Sequence, residues 1–219
     1  MKEENINPQQ SLELIETMIR KAKGGYYDTG TGPILWGIVV SVCALVTWAE
    51  IHFQFELPFD IWTLTFIAIA PQIYISIRER KMRKALRYED TAMGYIWGVF
   101  GFSIFILIFI NASVFSSLEE THKALKAINK EELIQFHYSD YVSSLFLLLY
   151  GIPTIITSGI LKFKPMLFGG LLCWAICIIS VFTKGETDML LMALAAIGAW
   201  LIPGILIKRR YIKNKAGNV

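Results

Sequence analysis

Three histidines are the side chains of this 219-residue chain best suited to hold a metal ion or exchange a proton. His52, His122 and His137 all lie on the predicted outer side, at the end of a long apolar run or between two of them, and acidic residues lie near each in the sequence. Imidazole nitrogens together with carboxylates bind Zn²⁺, and an imidazole titrates close to neutral pH. Because their spacing matches no zinc motif, solvated surface histidines are the competing interpretation. These residues are therefore candidates for a metal-binding or pH-sensing site on the outer face.

Prolines inside apolar runs, with polar residues beside them, form a second set of candidates. A proline within a helix leaves one carbonyl without its backbone donor, and in lipid that carbonyl needs another polar partner. Such broken helices build substrate sites in transporters. The candidate polar path consists of Pro71, Gln72, Pro153, Thr154, Thr157 and Pro203. The alternative is that these prolines only kink the helices of a packed bundle.

Signatures of enzymes are missing from the sequence. It contains neither an HExxH nor a GxSxG motif, which would indicate a zinc protease or a serine hydrolase. No ionisable side chain lies deep within an apolar run, which argues against a proton-coupled pump. We therefore expect a non-enzymatic protein without a cofactor.

The composition then indicates where these residues are held. Hydrophobic residues make up 54% of the chain, charged residues 18%, and the mean hydropathy is +0.49. A soluble domain carries about 25% charged residues, whereas a helix needs roughly 17–25 apolar residues to cross a bilayer. Six segments qualify: 34–53, 61–77, 92–115, 141–161, 166–183 and 189–207. The predicted fold is an all-α membrane protein with a six-helix transmembrane domain over residues 33–207.

The longest predicted outer loop covers residues 116–140. Ser117 with Glu120 has the pattern of a helix-capping box, and Asn129 with Glu132 has a similar one. The loop is therefore expected to contain two short helices.

Lysine and arginine are distributed very unevenly among the segments between these spans. Seventeen of them fall in the tail 1–32, in the segments that follow spans two and four, and in the basic tail 208–219, against four in the remaining loops. Cytoplasmic loops carry the excess of cations. We therefore predict that both termini are cytoplasmic and that the protein lies in the cell (inner) membrane.

Two cytoplasmic segments are candidates for binding lipid or a partner protein. Residues 12–23 have the pattern of an amphipathic helix, with Ile15, Met18 and Ile19 on its apolar face. Such a helix lies on the membrane, docks on the bundle itself or binds a partner. The loop after span two carries Arg78, Arg80, Lys81, Arg83 and Lys84. These cations would attract anionic lipid at about 1 kcal/mol each, so nucleic acid is not needed to explain them.

A short pattern recurs in the spans. Each odd span opens with an aromatic residue followed by glycine (Trp36 and Gly37, Trp97 and Gly98, Phe168 and Gly169), and each even span contains one proline. The first and third aromatic residues precede their prolines by 35 residues. The pattern favours three helical hairpins of similar design, with duplication as one origin.

Residues 11–23, followed by a glycine-rich turn and Leu35, Trp36 and Gly37, resemble the opening of small bacterial multi-pass inner-membrane proteins of unassigned function. The resemblance covers about 30 residues and implies a bacterial inner membrane.

Pro71 and Gln72 are also similar to the signature dipeptide of PQ-loop transporters. Two hypotheses follow: a sensory or accessory subunit of a membrane complex, and alternatively a transporter or permease subunit with a path between proline-kinked helices.

Overall fold

The computed structural model describes residues 29–82, 88–128 and 137–216, together with Leu12. All regular structure in these ranges is helical. The helices are α1 (Thr31–Phe53), α2 (Thr63–Met82), α3 (Tyr88–Ala127), α4 (Ser139–Leu161), α5 (Lys164–Ser180), α6 (Gly185–Ala196) and α7 (Ile202–Ala216). A π-helical turn, Ile197–Leu201, joins α6 to α7 without a break.

Four of these helical segments are long and apolar enough to cross a membrane: α1, α3, α4 and the continuous segment Gly185–Lys213. This confirms an all-helical chain with membrane-length apolar helices. Helix α5 is apolar but has 17 residues, and the apolar part of α2 ends in a charged stretch that begins at Arg78. Six spans in three hairpins therefore stay a prediction.

The core is formed by α1, α4, α5 and the segment from α6 to α7. Helices α4 and α5 share the most extensive contact, followed by α1 and α6. Small and medium side chains such as Ala195, Ala199 and Cys173 are fully buried where these helices meet. By contrast, α2 packs mainly on α1, and α3 packs mainly on α4. The chain thus has a four-membered centre and two peripheral helices.

Two glycines of the recurring aromatic–glycine pattern are positions of close backbone approach. A Cβ atom added to Gly37 would lie 2.5 Å from the Leu201 nitrogen, and one added to Gly169 would lie 2.5 Å from the Ala199 Cα. Both glycines therefore pack against the π-helical turn. The third glycine, Gly98, has no such neighbour within 4 Å, so the three occurrences do not share one structural role.

Helix α3 corrects the prediction that a separate short helix begins at Ser117 in the predicted outer loop 116–140. The helix continues to Ala127, and the hydroxyls of Ser117 and Thr121 donate to backbone carbonyls four residues earlier, at 3.1 and 3.0 Å. The predicted helix start at Ser117 is wrong, because Ser117 lies in the interior of α3. Residues 129–136, with the second predicted start, lie outside the described residues.

Several predicted lipid- or partner-binding residues lie outside the described part as well. Ile15, Met18, Ile19, Arg83 and Lys84 belong to this group. The amphipathic helix over residues 12–23 therefore stays a prediction.

Candidate functional site

The π-helical turn lies at the centre of the helix bundle. Its backbone is widened by one residue, since the Ile202 N–H donates to the Ile197 carbonyl five positions earlier. Pro203 follows directly, is fully buried and has no N–H to offer the Ala199 carbonyl. Single π turns within α-helices occur frequently at functional sites. This turn is therefore the first candidate site.

Trp200 projects from the π turn and links it to α4. Its Nε1–H donates to the Thr154 hydroxyl oxygen at 2.9 Å, and that hydroxyl donates to the Tyr150 carbonyl at 2.7 Å. The indole also lies 4.8 Å from the Tyr150 ring and 6.3 Å from the rings of Trp97 and Phe100, between centroids. Through these aromatic contacts the π turn is connected to α3 as well as α4.

The predicted polar path divides into two groups. Pro153, Thr154, Thr157 and Pro203 are buried in the bundle. The hydroxyl of Thr157 has no hydrogen-bond partner among the described residues. Pro153, for its part, removes the donor of the carbonyl one turn earlier, and Thr154 does not replace that donor because its hydroxyl bonds to Tyr150.

Pro71 and Gln72, the other members of the predicted path, lie apart from this group on α2. Pro71 is exposed. Gln72 donates through Nε2 to the Ser76 hydroxyl at 3.1 Å, and its Oε1 lies over Gly32 of α1, buried and without a partner among the described residues. None of the six residues lines the cavity of about 300 Å³ between α3 and α4 or the cavity of about 430 Å³ where α1, α2 and α7 meet.

The histidines do not assemble into one site. His52 pairs with Glu186 at 2.7 Å and stacks on Trp48, which also donates to Glu186 at 3.2 Å. His122 and His137 are exposed on α3 and just before α4. Within the ranges that the structure describes, no three His, Cys, Asp or Glu side chains are grouped to hold a metal ion. Glu186 escaped the sequence analysis because it lies 134 residues from His52.

A buried carboxylate near the same end was also missed. Asp188 is 1% exposed and accepts a hydrogen bond from the Thr183 hydroxyl. Close by in sequence, Ser180 shares a 2.7 Å hydrogen bond with Ser144. Asp188 immediately precedes the predicted sixth span, so it was counted as a loop residue. Its acidic side chain in the first turn of α6 was the available signal.

At the opposite end of the bundle, cations surround a cavity of about 430 Å³. Arg78 and Lys208, from α2 and α7, both line this cavity. The neighbouring Arg80 and Lys81 are exposed, as Arg78 and Lys208 are, but they do not line the cavity. Of the predicted basic loop, Arg78 is therefore the described residue that the fold places in a concave site.

Comparisons with protein-family models, curated proteins and solved structures found no match. The functional argument therefore depends on the geometry of the chain itself.

Proposed function

We propose that this protein is a six-span, non-enzymatic sensory or accessory subunit of a complex in the bacterial inner membrane, with both termini in the cytoplasm. The charge distribution of the sequence supports this orientation. The packed centre of the bundle supports a role in association rather than in chemistry, since the Trp200 N–H and the Thr154 hydroxyl oxygen there are hydrogen-bonded to each other.

The observation that carries the proposal is the uncovered surface of α3. Of its 40 residues only Met93 and Asn111 are buried. Gly94 and Gly98 lie four residues apart on one face, and apart from the local backbone of α3 no described atom lies within 4 Å of the position that a Cβ would take at either. Pairs of glycines at this spacing let a second transmembrane helix approach closely. We therefore assign α3 as the helix that contacts a partner.

The test is co-purification from mild detergent. The wild-type chain should retain a membrane protein in stoichiometric amount, and Gly98→Leu should lose it, because the leucine side chain fills the space that the partner helix needs. Gly159→Leu is the matched control: Gly159 is also exposed in a helix with nothing within 4 Å, but it lies on α4. This control should retain the partner.

Two results would contradict the assignment. The first is an unchanged partner in Gly98→Leu. The second is equal loss in both variants, which would indicate a general effect of leucine on the chain. The oligomeric state of each purified variant, measured by light scattering, separates a second copy of this chain from a different partner.

A second function, that of a transporter or permease subunit, is favoured by one observation. The π turn, Pro203 and Thr157 lie in the buried part of the bundle, and the Thr157 hydroxyl has no hydrogen-bond partner among the described residues. A hinge at this place would expose polar groups. Pro203→Ala supplies the missing N–H. If the turn is a hinge, this variant should fold and insert but lose the cellular phenotype of the gene. A phenotype like that of the wild type would count against the hinge.

A further inference from the structure

The cavity at the cationic end of the bundle has a composition that suits a particular ligand. It is formed where the start of α1, the second half of α2 and the middle of α7 meet, and its volume is about 430 Å³. Polar groups on its wall come from Thr29, Thr31, Arg78, Glu79 and Lys208, and aromatic and aliphatic side chains complete it. The wall thus combines donors with an apolar rim.

The charges of the cavity do not cancel. The Glu79 carboxylate accepts hydrogen bonds from both the backbone N–H and the hydroxyl of Thr29. Neither Arg78 nor Lys208 forms an ion pair of 4 Å or less with a described acidic residue. Two cations facing one carboxylate leave the cavity with one net positive charge. A phosphodiester carries one negative charge and accepts hydrogen bonds from arginine, lysine and hydroxyl groups.

The position along the helices selects the source of that phosphodiester. Arg78 is the first cation after the apolar part of α2, and Lys208 is the first after the apolar part of α7. Both therefore lie where the apolar surface ends, at the level of lipid headgroups in an inserted helix. Tyr74 and Tyr211 line the same cavity, and tyrosine is enriched at this interface.

We propose that this cavity is a binding site for the phosphodiester of an anionic membrane phospholipid. Arg78 and Lys208 bind the phosphate, and Ile75 and Ile212 contact the lipid where its chains begin. The inference depends on membrane insertion but not on the proposed accessory role, so the loss of a protein partner leaves it intact.

The experiment is native mass spectrometry of the full chain in detergent, titrated with phosphatidylglycerol. Arg78→Gln and Lys208→Gln should each weaken binding of the first lipid by about tenfold or more, because each removes a charge-assisted hydrogen bond to the phosphate. Arg209→Gln and Arg210→Gln are the controls, because each removes one exposed cation from the same end of the bundle, next to Lys208 but outside the cavity wall. They should change the affinity less than about twofold. Far-UV circular dichroism and thermal unfolding verify that all four variants remain folded.

Additional ligands distinguish the sources of the phosphate. Phosphatidylcholine should bind more weakly than phosphatidylglycerol, since its headgroup adds a cation to a cavity that is already positive. Glycerol phosphate without chains should not compete. Equal losses in the cavity and control variants would show a diffuse attraction of lipid to the basic surface and would overturn the site. Competition by glycerol phosphate at lipid-like concentrations would overturn its assignment to a membrane lipid.

Discussion

Gly37 and Gly169 show at the scale of single residues how the bundle is held together. Each lies directly against the backbone of the π turn, from opposite neighbours, α1 and α5. In a membrane, where lipid chains are as apolar as leucine, such close approach supplies much of the attraction between helices. The missing Cβ atoms are therefore a packing requirement.

Replacing Gly37 or Gly169 with Ala should lower the free energy of unfolding by about 1–3 kcal/mol, because the new methyl groups force the helices apart. Gly98→Ala is the matched control from the same sequence pattern. With open space around it, alanine should leave stability unchanged or raise it by up to about 1 kcal/mol. Unfolding by SDS in mixed micelles measures all three. Equal destabilisation by Gly98→Ala would contradict the packing argument.

Asp188 allows a second test at this scale. Its carboxylate accepts from Thr183 at a buried position, so Asp188→Ala leaves a hydroxyl without its partner and should cost about 1–3 kcal/mol. Asp188→Asn keeps an acceptor of similar shape and should cost clearly less. The same SDS titration compares the two variants. A cost for asparagine as large as that for alanine would mean that the charge, rather than the hydrogen bond, is required.

Whole helices were the part of the structure most accessible from the sequence. Apolar runs place α1 and α4 to within a few residues, since an apolar segment in lipid has no alternative to the helix. The end of α3 was not accessible in this way. Residues 116–127 are polar, so hydropathy gave no helix signal. Serine occurs both at helix N-caps and, hydrogen-bonded to a carbonyl, in helix interiors, so the residue type of Ser117 does not distinguish the two positions.

The candidate sites were less accessible than the helices, because they depend on pairs of residues distant in sequence. Trp200 and Thr154 are 46 residues apart, and nothing in either local sequence indicates the other. Pro203 signalled an irregular helix, but the widened turn lies before it rather than at it. Conversely, Pro71 gave the same signal as Pro153 and lies in an exposed position.

The link between the π turn and α4 can be measured directly. A double-mutant cycle of Trp200→Phe and Thr154→Val should give a coupling energy of about 0.5–1.5 kcal/mol, as for other hydrogen bonds between membrane helices. Trp48→Phe combined with Thr154→Val should be additive, because Trp48 bonds to Glu186 instead. A coupling near zero for Trp200 and Thr154 would show that the hydrogen bond does not stabilise the fold.

For the whole molecule, the distribution of cations makes orientation the sharpest prediction. Cys43, Cys173 and Cys177 would first be replaced by Ala, and single cysteines introduced at Ala85, Ala127 and Gly217. In intact cells an impermeant thiol reagent should label only the cysteine at position 127. Labelling at 85 or 217 without lysis would contradict the predicted orientation. Lysed cells provide the control that every introduced cysteine can react.

The contact between the first and the last apolar helix has a consequence for biosynthesis. The hydroxyl of Ser41 lies 3.5 Å from the carbonyl of Ala193, 152 residues later. At roughly 5–20 residues per second, a ribosome needs on the order of ten to thirty seconds to make that length of chain. During this interval α1 is without the helix that it contacts most extensively, and Gly37 is not yet packed against the π turn. A nascent chain stalled before α6 should therefore be inserted and yet remain sensitive to protease, with folding completed only when the last helix arrives.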